Sequence, residues 1–111
     1  MQLDNLIFEP LHRWHTSGNE QQIARTTFLG VDIYERTYFP WSPLEAVRVN
    51  YIVDLILPMT TPVAGGTMEN YDLYLDDDED QGIGSPHVKT LEAAVVFIQQ
   101  YRTTNPEEVN G

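Results

Sequence analysis

From Val47 to Leu57 the chain alternates for eleven residues. Val47, Val49, Tyr51, Val53, Leu55 and Leu57 form one parity and are all apolar; Arg48, Asn50, Ile52, Asp54 and Ile56 form the other. Wound as a helix, the same residues scatter Arg48, Asn50 and Asp54 around the wheel, so no polar stripe forms. A period of two with one apolar face is the signature of a strand that packs on a core. Ser42-Pro43-Leu44-Glu45 has the spacing of a helix capping box and allows one helical turn at 43–46 before the strand. Pro58 ends the strand.

Three further segments read as strands. Leu11 to His15 is short, and the polar stretch at 16–20 after it reads as a hairpin loop. A long strand is predicted from about Ile23 to Tyr38, with Leu29, Val31 and Ile33 on one face and Phe28, Tyr34 and Tyr38 on the other. Gly30 interrupts the second face and marks a bulge or a close backbone approach. Residues 39–43, with two prolines, read as a turn. Two prolines and Gly65-Gly66 make 58–70 a loop. Tyr71 to Leu75 is the fourth strand.

The C-terminal part holds the one clear helix, from about Thr90 to Arg102. Thr90 is a suitable N-cap, and Glu92 in the first turn and Arg102 near the end complement the helix dipole. Leu91, Ala94, Val95, Ile98 and Tyr101 fall on one face at helical spacing. The predicted fold class is therefore α+β: a four-stranded, mostly antiparallel sheet, a β-meander, with one C-terminal helix packed on one face. Residues 1–104 form a single domain and 105–111 a polar tail. The uncovered face is either wet or an interface. Trp14, Tyr34, Tyr38, Trp41 and Tyr74 are the aromatics expected to gather there, as rim residues or as partner contacts.

Charge supplies the functional lead. The chain of 111 residues carries 17 acids against six bases, a net of −11. Seven of the acids (Glu69, Asp72, Asp76, Asp77, Asp78, Glu79 and Asp80) fall within residues 69–80, which hold no base; the other 99 residues carry only −4. One highly charged segment thus sits on a mildly acidic body. Direct binding to a nucleic-acid backbone or an anionic membrane needs basic surface and is disfavoured. A basic protein or a cation is favoured.

Three readings of the run compete. In an extended chain, residues advance ~3.3 Å each, close to the ~3.4 Å phosphate spacing of one DNA strand, so the run has the charge density to occupy a groove built for nucleic acid. In composition it is similar to small acidic proteins that imitate DNA and block nucleases, many phage-borne anti-defence proteins among them; the likeness covers no motif. The second reading is a Ca2+ loop, with Asp76, Asp78 and Asp80 at the first three ligand positions of an EF-hand and Ile83 at its apolar position. That match fails where Gln81 replaces the required glycine and His87 replaces the bidentate glutamate. The third is a solvated loop held open by its own repulsion.

Catalytic chemistry has little support. There is no cysteine, hence no disulfide, thiolate metal site or cysteine nucleophile. His12 and His15, three apart on a strand, point to opposite faces and cannot chelate together. His87 follows Pro86 alone, and all three histidines read as surface or half-buried residues. Ser17, Ser42 and Ser85 lie in no nucleophile elbow. Gly82-Ile83-Gly84 lacks the third glycine of a dinucleotide loop, and Lys89 stands outside any glycine cradle. The N-terminus lacks the pattern of a signal peptide, and no apolar run approaches the ~20 residues of a membrane span.

The expectation is a cytoplasmic, non-catalytic protein without a cofactor. Residues 69–80 engage a basic groove on a protein partner, in the manner of a nucleic-acid mimic that inhibits a nuclease or defence complex. Glu69, Asp72 and Asp76 to Asp80 supply the charge, with Tyr74 and Trp41 as aromatic anchors. The alternative is a calcium-binding protein using Asp76, Asp78 and Asp80. A homodimer joined through the uncovered sheet face is a further reading that needs no role for the acids.

Overall fold

The computed structural model describes residues 6–15, 19–69 and 82–104. The elements are β1 (Glu9–His15), β2 (Asn19–Phe28), β3 (Val31–Pro40), β4 (Arg48–Val53), β5 (Leu57–Pro58), β6 (Gly66–Glu69), β7 (Ile83–Val88) and α1 (Leu91–Thr104). The fold is α+β, an antiparallel sheet with one C-terminal helix. The sheet has seven strands, however, where the sequence pattern gave four. Strands β1 to β4 form a meander, β7 pairs with β4, and β5 and β6 both pair with β7.

Several differences from the sequence reading have identifiable causes. The long strand expected over 23–38 is two strands folded into a hairpin. Leu29 and Gly30 both adopt positive φ, 51° and 79°. Two consecutive residues in that region make the two-residue turn whose twist matches its flanking strands. Leucine is a poor residue for it, which is why the pattern ran straight through. The Arg102 Nε–H at the end of α1 donates to the Leu29 carbonyl at 3.1 Å and ties the turn to the helix.

The strand read over 47–57 is shorter and broken. β4 ends at Val53, and the chain rejoins β7 as β5, with Leu57 opposite Gly84. The β4 ladder stops at Ile52–His87. Pro86 lies in the gap between the two ladders and has no N–H to give either. Over 43–46 the chain makes a turn in which the Glu45 N–H reaches the Ser42 carbonyl at 3.2 Å.

The predicted loop 58–70 contains β6. Gly66, read as a loop glycine, is the first residue of that strand; a Cβ there would overlap the His87 carbonyl oxygen across the ladder. It is needed for close approach of two backbones, and not for a turn. The strand expected over 71–75 lies outside the described residues, as does the tail 105–111.

The helix forms where expected, with its end extended to Thr104. Thr90 caps it: the Ala93 N–H donates to Thr90 Oγ1 at 3.1 Å. Ala94, Val95 and Ile98 are fully buried against Val31, Ile33, Val53 and Val88, with Phe8, Phe28, Leu55 and Phe97 packed around them. Among the described residues no helix is long and apolar enough to cross a membrane.

The opposite face of the sheet carries a much smaller apolar group, Ile23, Tyr34 and Ile52. The cross-strand pair Tyr34–Ile52 places both on this face. Beyond that group, β3, β4 and β7 place the polar residues Arg36, Tyr38, Arg48, Asn50 and His87 on the uncovered face.

Candidate functional site

Of the acidic residues singled out from the sequence, Glu69 falls within the described residues. It ends β6 opposite Ser85 of β7, is exposed, and its Oε2 accepts a bond from Thr67 Oγ1 at 3.2 Å. Asp72, Tyr74, Asp76, Asp77, Asp78, Glu79 and Asp80 lie outside the described residues, and so do the ligands of the calcium reading. Among the described residues no group of three His, Asp or Glu side chains is placed to hold a metal ion.

Trp41 is 60% exposed and begins the β3–β4 connection, together with Leu44 and Val47, which are also exposed. Glu69 begins the β6–β7 connection. Since β4 runs antiparallel to β7, these two connections leave from opposite ends of the sheet. Trp41 therefore does not share a rim with the start of the acidic run. Tyr34 and Tyr38 do stand on the uncovered face, but Tyr34 is buried at 8% exposure and serves the small apolar group.

The register of the meander assembles a different site. Arg36 pairs with Asn50 and Tyr38 with Arg48 across β3 and β4. Ile52 pairs with His87 across β4 and β7. Directly opposed residues share a face and alternate residues along a strand share it too. Arg36, Tyr38, Arg48, Asn50 and His87 must therefore all project from the side away from the helix, and Lys89 follows just past the end of β7. Together with Val49 and Glu69 they line an open depression of about 590 Å³.

Its electrostatics run against the chain as a whole. Arg36, Arg48 and Lys89 are half of the six Lys and Arg residues of a protein with net charge −11. The other three cations are engaged elsewhere: Arg13 pairs with Glu20, Arg25 with Glu9 at 3.4 Å, and Arg102 with the Leu29 carbonyl. In the depression, Arg48 places its guanidinium 5.2 Å from the centre of the Tyr38 ring. Arg36 lies 5.9 Å from the same ring, and its Nη1 donates to the Tyr38 hydroxyl at 2.9 Å. One aromatic ring thus orients two guanidinium groups by cation–π attraction and a hydrogen bond. Neither Arg48 nor Lys89 forms an ion pair with a described carboxylate, although Glu69 lines the same wall.

His87 corrects the sequence reading. It is 6% exposed, a buried residue in place of the surface or half-buried one expected. Its Nδ1 lies 3.0 Å from the Ser85 carbonyl oxygen. A carbonyl only accepts, so Nδ1 carries the proton, and in the neutral ring Nε2 is an acceptor. The imidazole bonds the backbone of Ser85 and not its hydroxyl, so the two do not form a nucleophile–base pair. Asn50 Oδ1 and Ser85 Oγ are both buried without a hydrogen-bond partner.

Reading residues singly concealed this constellation because its members come from three separate segments. The available signal was the period-two pairs Arg36-x-Tyr38 and Arg48-x-Asn50, which become one cluster only when the β3–β4 register is known. Comparison with known proteins finds no family model, no curated protein and no solved structure that matches the chain.

Proposed function

We propose that this is a small, non-catalytic, cytoplasmic binding protein whose acidic segment 69–80 engages a basic, nucleic-acid-binding groove on a protein partner. The observation that carries the proposal is the concentration of seven acids and no base in those twelve residues. The framework around the run supports it. The run joins β6 to β7, and its flanking residues Glu69 and Ser85 are cross-strand neighbours, so both ends are anchored in one sheet. Asp76, Asp77, Asp78, Glu79 and Asp80 supply a charge density like that of a DNA strand, and a groove selected for phosphates gains the same counterion release from either. Glu69 and Asp72 extend the strip, and Tyr74 adds an aromatic contact beside it.

The test is inhibition of purified non-specific nucleases on duplex DNA, with the chain and with a variant in which the five acids of 76–80 are replaced by Asn and Gln. Inhibition should be lost in the variant and should weaken steeply with salt in the wild type. Equal inhibition by both proteins would remove the acids from the mechanism. A calcium titration followed by amide NMR, with magnesium as control, separates the alternative: saturable, calcium-selective shifts in residues 82–84 beside the run would make it a metal loop.

A further inference from the structure

We infer that the depression on the uncovered face is a binding site for a small phosphorylated sugar or nucleotide, the phosphate held by Arg36, Arg48 and Lys89 and a neighbouring hydroxyl by His87. Its cations are opposite in sign to the acidic segment, whose first residue, Glu69, lies on its rim.

Three observations point the same way. First, half of the chain's cations line one depression of about 590 Å³, a volume within the ~300–1,000 Å³ range of small-ligand sites. Glu69 is the one carboxylate among its described lining residues, so the lining carries more cations than anions, and an anion complements it. Second, the cationic groups are aimed before any ligand arrives. The Tyr38 ring fixes Arg48 at 5.2 Å and Arg36 at 5.9 Å from its centre, with the Arg36–Tyr38 hydrogen bond adding direction. Planar guanidinium forks match phosphate oxygens in pairs, and prior orientation lowers the entropy lost on binding.

Third, the wall holds a buried histidine that the described residues use on one side only. His87 is 6% exposed, its Nδ1–H is committed to the Ser85 carbonyl, and no described residue bonds its Nε2. An imidazole nitrogen that no described residue bonds marks a place where a ligand can contribute the missing bond. In the neutral ring Nε2 is an acceptor, and the hydroxyl of a sugar phosphate offers it a donor. A tetrahedral anion with a hydroxyl a few bonds away meets both the cations and the imidazole.

Glu69 on the rim sharpens the requirement. Its carboxylate repels extended polyanions and disfavours nucleic acid, while leaving room for one phosphate on the cationic side. Single phosphorylated metabolites fit these constraints; long backbones do not.

The experiment is amide NMR on the full chain with ribose 5-phosphate, inorganic phosphate and ribose as probes, each at the same ionic strength set with sodium chloride. Ribose 5-phosphate should shift residues 36–38, 48–50 and 87–89 saturably in the millimolar range or below. Inorganic phosphate should shift the same residues more weakly, and ribose should not. Arg48→Gln, at an exposed position, should weaken ribose 5-phosphate about tenfold, the effect of losing one charge-assisted contact. Arg13→Gln, on β1 and paired with Glu20, should leave it unchanged. Absence of saturable shifts with either phosphate overturns the site. Equal weakening by the two variants overturns it as well, since binding would then follow net charge alone. Binding of inorganic phosphate as tight as that of the sugar phosphate overturns the role of His87.

Discussion

The two faces of this sheet use the same alternation to opposite ends. On the helix side, Val31, Ile33, Val53 and Val88 meet Ala94, Val95 and Ile98 in a core of seven buried residues. On the other side the apolar group stops at Ile23, Tyr34 and Ile52, and the strands then turn to Arg36, Tyr38, Arg48, Asn50 and His87. The sequence difference between the faces is small, a matter of which parity carries the charged residues. The physical difference is large. The covered face stabilises through buried area, whereas the open face keeps cations oriented at a surface where a ligand can reach them. One face is the foundation and the other has the chemistry.

The comparison is broken most forcefully by cutting a methyl-rich side chain from each face. Ile98 and Ile52 are both fully buried. Ile98→Ala leaves a cavity between helix and sheet that neither layer can close, and the expected loss is about 3–5 kcal/mol. Ile52→Ala leaves one beneath side chains that can settle inward, and the loss should fall near about 2 kcal/mol, the low end for such truncations. Urea denaturation of the two variants measures the contrast. Equal losses would mean that the open face is a second sealed core, and would weaken any site placed there.

How much of this was legible in the sequence divides along physical lines. The helix was, because Thr90, Glu92, the apolar stripe and Arg102 are local signals that agree with one another. The strand character of 48–53 was legible too, since alternation is a local property. The hairpin at Leu29-Gly30 was not, because leucine is not a turn residue and the bond from Arg102 to its carbonyl comes from 73 residues along the chain. β6 was concealed by glycines that read as a loop but permit close approach. β7 was concealed by Pro86, Gly82 and Gly84, which interrupt any pattern a strand would show. The acidic run was visible at once, as composition always is. The cationic depression was not, because it exists only through cross-strand register, and register between β3 and β4 is set by the whole sheet.

The Leu29 turn sharpens the comparison at the edge where the two faces meet. A left-handed conformation costs a residue with a Cβ roughly 1–2 kcal/mol, and asparagine bears it better through local hydrogen bonds. Leu29 is half exposed, so little burial is lost when it is replaced. Leu29→Asn should stabilise the protein by about 0.5–1 kcal/mol, read as a rise in the denaturation midpoint with unchanged slope. A loss of stability instead would show that the leucine packs against the helix end usefully enough to outweigh its strain.

The smallest effect lies at Tyr51 on the covered face, and it appears only at alkaline pH. The Tyr51 hydroxyl donates to Glu35 Oε2 at 2.9 Å. Partial burial, then the hydrogen bond and the charge of Glu35, hold the phenol's proton and push its pKa from 10 up to about 12. The sign follows from linkage. In the unfolded chain the phenol ionises near pH 10, while in the folded protein it keeps its proton to about pH 12, so the contribution is whole below pH 10 and is lost as pH rises through that window. Tyr51→Phe removes the titrating group. Over pH 10 to 12 wild type should therefore lose more stability than the variant, a difference that cancels the other tyrosines because both proteins contain them. Tyr51 is only half-buried, and water screens the carboxylate, so the difference should be modest. Parallel pH profiles would mean that the Tyr51–Glu35 bond is exchanged for water in solution, and that the covered face is dry only beneath the helix itself.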